Sequence, residues 1–235
     1  MIPQDQRYTR VAIALHWMIA GLIFFNLALG FVMEGFEERL RRFTVDAHIS
    51  SGISVLLLTV VRIIWRLVHK PPPFLSRTTT VEKVAAHCVH FSLYAMMVFM
   101  PLSGWAIISS HPPPAIAQAL AVAKAQAAAA AARSASADSA RSAEPTAKRR
   151  PRRQLKLWGI VPWFRIGFIQ QVGTTPAGIE RQKVMHDDFA HRHMQGSLLL
   201  IALLLLHIAG ALKHQFIDRQ PELARMGLGR SGEKP

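Results

Sequence analysis

From Met194 to Leu212 the chain reads MQGSLLLIALLLLHIAGAL without a single Asp, Glu, Lys or Arg, and histidines stand at positions 193 and 207. A run of this length and greasiness matches the roughly 20 residues a helix needs to cross a bilayer, where each backbone polar group must find its partner within the segment. Further apolar segments of spanning length lie at roughly 11–33, 47–68 and 84–108, with this one at roughly 194–213. They set the fold class: an all-α membrane protein, a four-helix transmembrane bundle with a long low-complexity loop between helices 3 and 4. The composition agrees, since 51% of residues are hydrophobic and they are concentrated in these segments.

The first segment is expected to remain as an anchor, because it is interrupted by His16 and Asn26 and ends in VMEGFEERL rather than in a small-residue cleavage site. Cys88 is the only cysteine, which excludes an intrachain disulfide and leaves helix packing to hold the fold. The net charge of +14 raises the question of nucleic acid. Basic residues, however, sit beside apolar segments or in the run KRRPRR at 148–153, a distribution suited to anionic lipid or a protein partner, and no nucleic acid is expected.

Lys and Arg in the short flanks set orientation. Arg7 and Arg10, then Arg62, Arg66, Lys70, Arg77 and Lys83, then Lys213, Arg219, Arg225, Arg230 and Lys234 fall on one side, which predicts that both termini are cytoplasmic. The loop between helices 3 and 4 is also basic, but long loops translocate largely regardless of charge. The organisation expected is residues 1–114 for the first three spans, 115–156 for an Ala-rich and basic insertion too poor in large apolar residues to pack, and 157–235 for an interfacial segment, the fourth span and a cytoplasmic tail. The aromatics of LWGIVPWFRIGF at 157–168 suit the headgroup level at the outer end of the bundle.

Ionisable side chains inside a membrane are costly, so the depth of each histidine carries information. His16 lies a short way into helix 1 from the cytoplasmic side, and His207 lies at a similar depth in helix 4, which runs back toward that side. His48 and His193 open helices 2 and 4 at the outer boundary. The 14 positions between His193 and His207 amount to about 21 Å of rise and to two heptads, which turns both rings toward one interior seam. Haem iron takes axial ligands from opposite sides of its plane, and imidazoles from two facing helices at one depth meet that demand. The arrangement predicts two stacked haems, an inner one on His16 and His207 and an outer one on His48 and His193. A zinc site would want its ligands clustered rather than split between two levels.

The stretches RYTRVAIALHW (7–17), DAHISSGISVLLLTVVRIIWRL (46–67), AHCVHFSLYAMMVFMPLSGW (86–105) and LLLLHIAGALKHQFIDR (203–219) resemble the prokaryotic cytochrome b561 family. The likeness covers nearly the whole chain outside about 115–156. It implies two b haems held by helices 1, 2 and 4, electron transfer within or across the membrane, and quinone as one partner beside an unidentified redox partner, in the inner (cytoplasmic) membrane of a bacterium. Ligands carry over to His16, His48, His193 and His207. One departure concerns helix 4, where the family usually has His followed by Glu and this chain has His193 followed by Met194, which makes His191 the first substitute for His193.

Supporting residues carry two readings each. His87 and His90 are three apart on helix 3 at the inner level, suited to a quinone, a haem propionate or displacement of His16, or equally to the headgroups. Arg62, 14 positions after His48, reaches the inner level and could pair with propionates or extend its stem toward water. Gly52 and Gly210 could let a porphyrin approach the backbone or serve helix packing. Tyr8, Arg10 and Lys213 could line a cytoplasmic site or anchor the interface. The function expected is that of a di-haem b-type electron carrier, an oxidoreductase if it is an enzyme, between quinone and an outer partner. A histidine-based transporter or proton conductor without haem, and a haem-bearing anchor subunit of a larger redox enzyme, are the competing readings.

Overall fold

The computed structural model describes residues 7–74, 78–111, 122–123, 125–129 and 155–228. They fall into two compact units, one of residues Met1–Gly104 with His191–Pro235 and one of Trp105–Ala190. Most of the expected insertion at 115–156 lies outside the described residues, although 122–123 and 125–129 are helical.

The helices are α1 (Arg10–Val32), α2 (Glu38–Val68), α3 (Thr80–Ser109), α4 (Gly167–Val172), α5 (Pro176–Leu212) and α6 (Glu222–Arg225). Among the described residues α1, α2, α3 and α5 are the four long and apolar enough to cross a membrane. Two of them overrun the hydropathy-based limits. α2 begins at Glu38 rather than near 47, and α5 begins at Pro176 rather than near 194. Hydropathy marks where a helix meets hydrocarbon, whereas ERLRRFTVD and the charged stretch ending in HDDFAHR continue the same helices as polar surface. His48 and His193 therefore sit well inside their helices and not at the first turn.

Helix starts are set locally. Thr9 caps α1 by accepting from the Ala12 amide, and Thr79 and Glu82 form a reciprocal capping box at α3, each side chain accepting from the other's backbone N–H. In the first unit the helices meet through small and polar residues. Ser50, Ser51, Gly52 and Thr59 of α2 are buried, while Phe24, Phe31, Leu57, Ile64, Leu198 and Leu205 face outward. This is the distribution expected where lipid is as apolar as the core and close backbone approach, not apolar burial, draws helices together. Around it, Ile19, Ile23, Val55, Leu93, Met96, Met97 and Leu200 form the apolar core. Gly196 of α5 lies so near α3 that a Cβ there would come within 2.7 Å of Met100 Sδ and 3.0 Å of Phe99 Cε1.

Polar contacts tie the helix ends of this unit together. Lys213 Nζ lies 2.7 Å from both Glu82 Oε1 and Asp218 Oδ2, joining the start of α3 to the π-helical turn Lys213–Ile217 that follows α5. Trp17 Nε1 donates to the carbonyl of Met226, and Trp65 Nε1 donates to Thr9 Oγ1.

In the second unit, Lys156–Leu157 and Val161–Pro162 pair as a short antiparallel hairpin whose turn has two left-handed residues, Trp158 at φ +52° and Gly159 at φ +72°. The aromatics expected at the interface gather here. Trp105 donates through Nε1 to the Phe164 carbonyl at 2.9 Å, and its ring meets that of Trp163 at 5.4 Å.

The ion cluster yields a prediction. Lys213, hydrogen bonded to Asp218, holds that carboxyl below its ordinary range, and His214 adds to the effect. A depressed folded-state value contributes stability above the unfolded value, lost as pH falls through the folded one. Asp218→Asn is expected to lower the melting temperature of the detergent-solubilised protein at pH 7, with the deficit shrinking toward pH 3 as the wild type protonates. Melting curves at both pH values test it, and an equal deficit at both would contradict the assignment.

Candidate functional site: two histidine pairs between the helices

Three helices contribute paired imidazoles to the interior of the first unit. His16 of α1 and His207 of α5 bring their ring centres to 6.2 Å at an interplanar angle of 71°, and His48 of α2 and His193 of α5 bring theirs to 6.1 Å, also at 71°. A metal–imidazole bond of about 2 Å, with about 1.2 Å more from nitrogen to ring centre, places two opposed rings roughly 6.3 Å apart across one ion. Both pairs have this spacing. They are separated along α5 by the two heptads between His193 and His207, so the helix offers both rings from one seam.

The second pair, His48 with His193, is oriented by hydrogen bonds that fix the tautomer. His48 Nδ1 lies 3.1 Å from the Asn26 carbonyl oxygen, which can only accept, so Nδ1 carries the proton. Ser103 Oγ donates its single proton to the Met100 carbonyl at 2.9 Å, and its 2.8 Å contact with His193 Nδ1 is therefore received from the imidazole. Both rings present a free Nε2 lone pair, the donor that a metal requires, with the outer-shell partner that steadies metal-ligating histidines. Glycines admit the rings. A Cβ on Gly30 would lie 3.6 Å from His48 Cε1, and one on Gly104 would lie 3.4 Å from His193 Cε1.

The first pair, His16 with His207, sits beside cationic and aromatic groups. Arg62 of α2 donates through Nε to Tyr94 Oη at 2.9 Å, and its charge bears on His16, His207 and His90. Its Nη1 is buried without a hydrogen-bond partner among the described residues. A buried guanidinium nitrogen left open beside paired imidazoles suits a carboxylate on the group those imidazoles hold.

The other residues singled out in the sequence separate. His90 joins the first pair, its ring 5.1 Å from that of His207. His87 does not: it is exposed, engages the Lys83 carbonyl and lies against Phe74. Three positions make neighbours on a helix, but here they straddle the edge of the buried face. His191 is exposed and bonded to Gln195, so His193 is the residue that faces His48. Gly52 admits a helix and not a flat ring, since a Cβ there would meet Asn26 Nδ2 at 3.3 Å. Around Gly210 the space is open. Lys213 is engaged by Glu82 and Asp218, and the Tyr8 ring lies under Arg225. Ser103, Asn26, Gly30, Gly104 and Tyr94 were missed from the sequence, where a lone serine or glycine in a span has no distinguishing signal.

The sequence model of the prokaryotic cytochrome b561 family matches residues 7–229. The chain belongs to that family. Curated relatives agree. The cytochrome is 28% identical over 228 residues to "Cytochrome b561 homolog 2" of Escherichia coli K12, covering 96% of this chain and 93% of the relative. It is 38% identical over 107 residues to "Cytochrome b562" of Cereibacter sphaeroides, 43% of this chain and 66% of that protein. It is 26% identical over 104 residues to "Probable superoxide oxidase CybB" of Yersinia pestis, 44% of this chain and 58% of that protein. The chain is thus a multi-pass bacterial membrane cytochrome of the b type, and electron transfer is its work. The family implies haem b, and the paired imidazoles, the Nε2 atoms that His48 and His193 leave free and the open Arg62 nitrogen fit that group.

Removing a partner that orients a metal-ligating histidine typically costs about 10–100-fold in metal affinity. Ser103→Ala is expected to weaken haem retention by about that factor at one site and leave the other unchanged, read by haem transfer to an apoprotein acceptor.

Proposed function

We propose that the cytochrome holds two b haems, one on His16 and His207 and one on His48 and His193, and passes single electrons between quinone and a redox partner at the outer surface, with both termini cytoplasmic. The observation that carries this reading is the pair of ring separations, 6.2 and 6.1 Å, each between different helices. When bound, haem supplies the one-electron iron couple, whose potential depends on axial ligands, hydrogen bonds and burial.

The chain's own groups perform the rest. Asn26 and Ser103 hold the imidazoles of the second pair in the Nδ1–H form with Nε2 presented. Buried small residues and the apolar core keep water from the seam. Arg62 places positive charge beside the first pair only, and a cation favours the site that gains an electron. Electrons are therefore drawn from the His48–His193 pair toward the His16–His207 pair. The relative from Yersinia pestis named as a probable superoxide oxidase supports a one-electron donor, which this reading places at the outer end, with quinone accepting at the other.

The test is a reduced-minus-oxidised visible spectrum with a haem-to-protein ratio. The wild type is expected at two haems per chain, His207→Ala and His193→Ala each at one, and His191→Ala at two. A wild-type ratio of one, or a His207→Ala variant that keeps both, would overturn the assignment; a colourless preparation would move the reading to histidine-based transport.

A further inference from the structure

The second unit holds a histidine pair that electron transfer does not use. His111 follows α3 and His186 lies on α5, and their rings meet edge to face with centres 4.5 Å apart at 78°. Hydrogen bonds fix both tautomers. His111 Nδ1 lies 3.2 Å from the Ile107 carbonyl, an obligate acceptor, so Nδ1 bears the proton. Ser110 Oγ gives its one proton to the same carbonyl at 2.7 Å, and its 3.0 Å contact with His186 Nδ1 is therefore received from that ring. Neither Nε2 takes part in a hydrogen bond among the described residues. Two lone pairs are left on rings whose other nitrogens are anchored.

The anchoring repeats that of His193. There, Ser103 gives its proton to the carbonyl three residues back and receives one from the histidine. Ser110 and His186 are displaced from Ser103 and His193 by one heptad each, in opposite directions along two sequence segments. The ring separation is different, however. Two imidazoles whose centres stand about 3.2 Å from one ion are roughly 6.3 Å apart when opposed and roughly 4.5 Å apart when at right angles. The pairs of the first unit have the opposed spacing and His111 with His186 the right-angled one, so a haem does not fit between them.

We propose that His111 and His186 form a metal site independent of haem, taking a divalent transition-metal ion of the imidazole-preferring class through both Nε2 atoms in adjacent coordination positions, with water completing the sphere. Adjacent nitrogen ligands at a right angle match the tetragonal geometry of Cu²⁺, which also binds nitrogen donors most tightly in the first-row series. Hard ions such as Mg²⁺ and Ca²⁺ call for oxygen ligands that neither ring supplies. His111 is exposed, which gives an ion from solvent a way in. Partial enclosure of the ring, then the neighbouring His186, holds His111 below its ordinary value, toward the neutral form that can ligate. Arg165 also bears on His111, and its positive charge weakens the site for a dication without blocking it.

The haem-loaded full chain, purified without a polyhistidine tag, is titrated with Cu²⁺ and read by pulsed EPR at the copper field positions. Expected is one Cu²⁺ per chain with modulation from two imidazoles. His111→Ala and His186→Ala each remove one imidazole from that signal, and Ser110→Ala weakens binding by about tenfold or more. His191→Ala has no effect, and the haem spectrum of every variant matches the wild type, which establishes that each is folded. Absence of stoichiometric copper, a single-imidazole signal in the wild type, or equal binding by His111→Ala and His186→Ala would overturn the proposal. So would unchanged binding by Ser110→Ala.

Discussion

Imidazole nitrogens buried in a hydrocarbon environment must all be used, because an unsatisfied polar group there costs several kcal/mol and no water is present to take its place. The two-nitrogen ring answers this in an ordered way. In the His48–His193 pair Nδ1 goes to the protein, to the Asn26 carbonyl or to Ser103, which leaves Nε2 for what the site holds. The rest of the bundle follows from bringing those rings together in pairs across a helix interface. α5 carries one ring of each pair, and a rotation of α5 by a single residue, about 100°, would turn both away from their partners. Gly196 against Met100 and Phe99 locks that rotation by fitting α5 tightly onto α3. The register of one interface thereby sets the geometry of two sites.

The same constraint explains what could be read from the sequence. Charge-free segments must be helices when they cross lipid, so all four spans were legible. The two-heptad spacing of His193 and His207 made both rings face one seam, but the missing Glu after His193 kept His191 open as its substitute, and it is the structure that leaves His191 exposed beside Gln195. Arg62 followed from the same arithmetic, 14 positions from His48, and its charge does reach the first pair. What spacing cannot give is where a helix stops once it leaves the bilayer, since polar residues neither require nor forbid another turn. α2 and α5 ran on for that reason. Nor can spacing tell which of two residues on adjoining positions lies just inside a buried face, and His87 and His90 fell on opposite sides of that edge.

The supporting shell was illegible for a different reason. Ser103 matters because its hydroxyl is already committed to a carbonyl one turn back, a habit of serines in helices generally, and this commitment obliges it to accept from His193. Gly30 and Gly104 matter because of what stands opposite them, His48 and His193. Each of these is a property of a pair, and neither member shows it alone. Gly52 is instructive in the other direction: its position four residues from His48 invited a role at the cofactor, but the atom facing it belongs to Asn26.

Charge distinguishes the two ends of the bundle where ligand chemistry does not. The pairs match in residue type, ring separation and interplanar angle. Around His48 and His193 the ordering groups are a backbone carbonyl and a serine hydroxyl, both neutral. Near His16 and His207 stand instead the charge of the Arg62 guanidinium, with Arg66 and Arg62 both against the Tyr94 ring, and the third imidazole of His90. In a medium of low dielectric a fixed cation acts over a longer range than it would in water, because nothing reorients to screen it. One arginine, its guanidinium held in place by a tyrosine hydroxyl, therefore sets two pairs of the same residue type in different electrostatic surroundings, and on the function proposed above it is that difference, rather than any difference between the histidines themselves, that gives electron flow a direction.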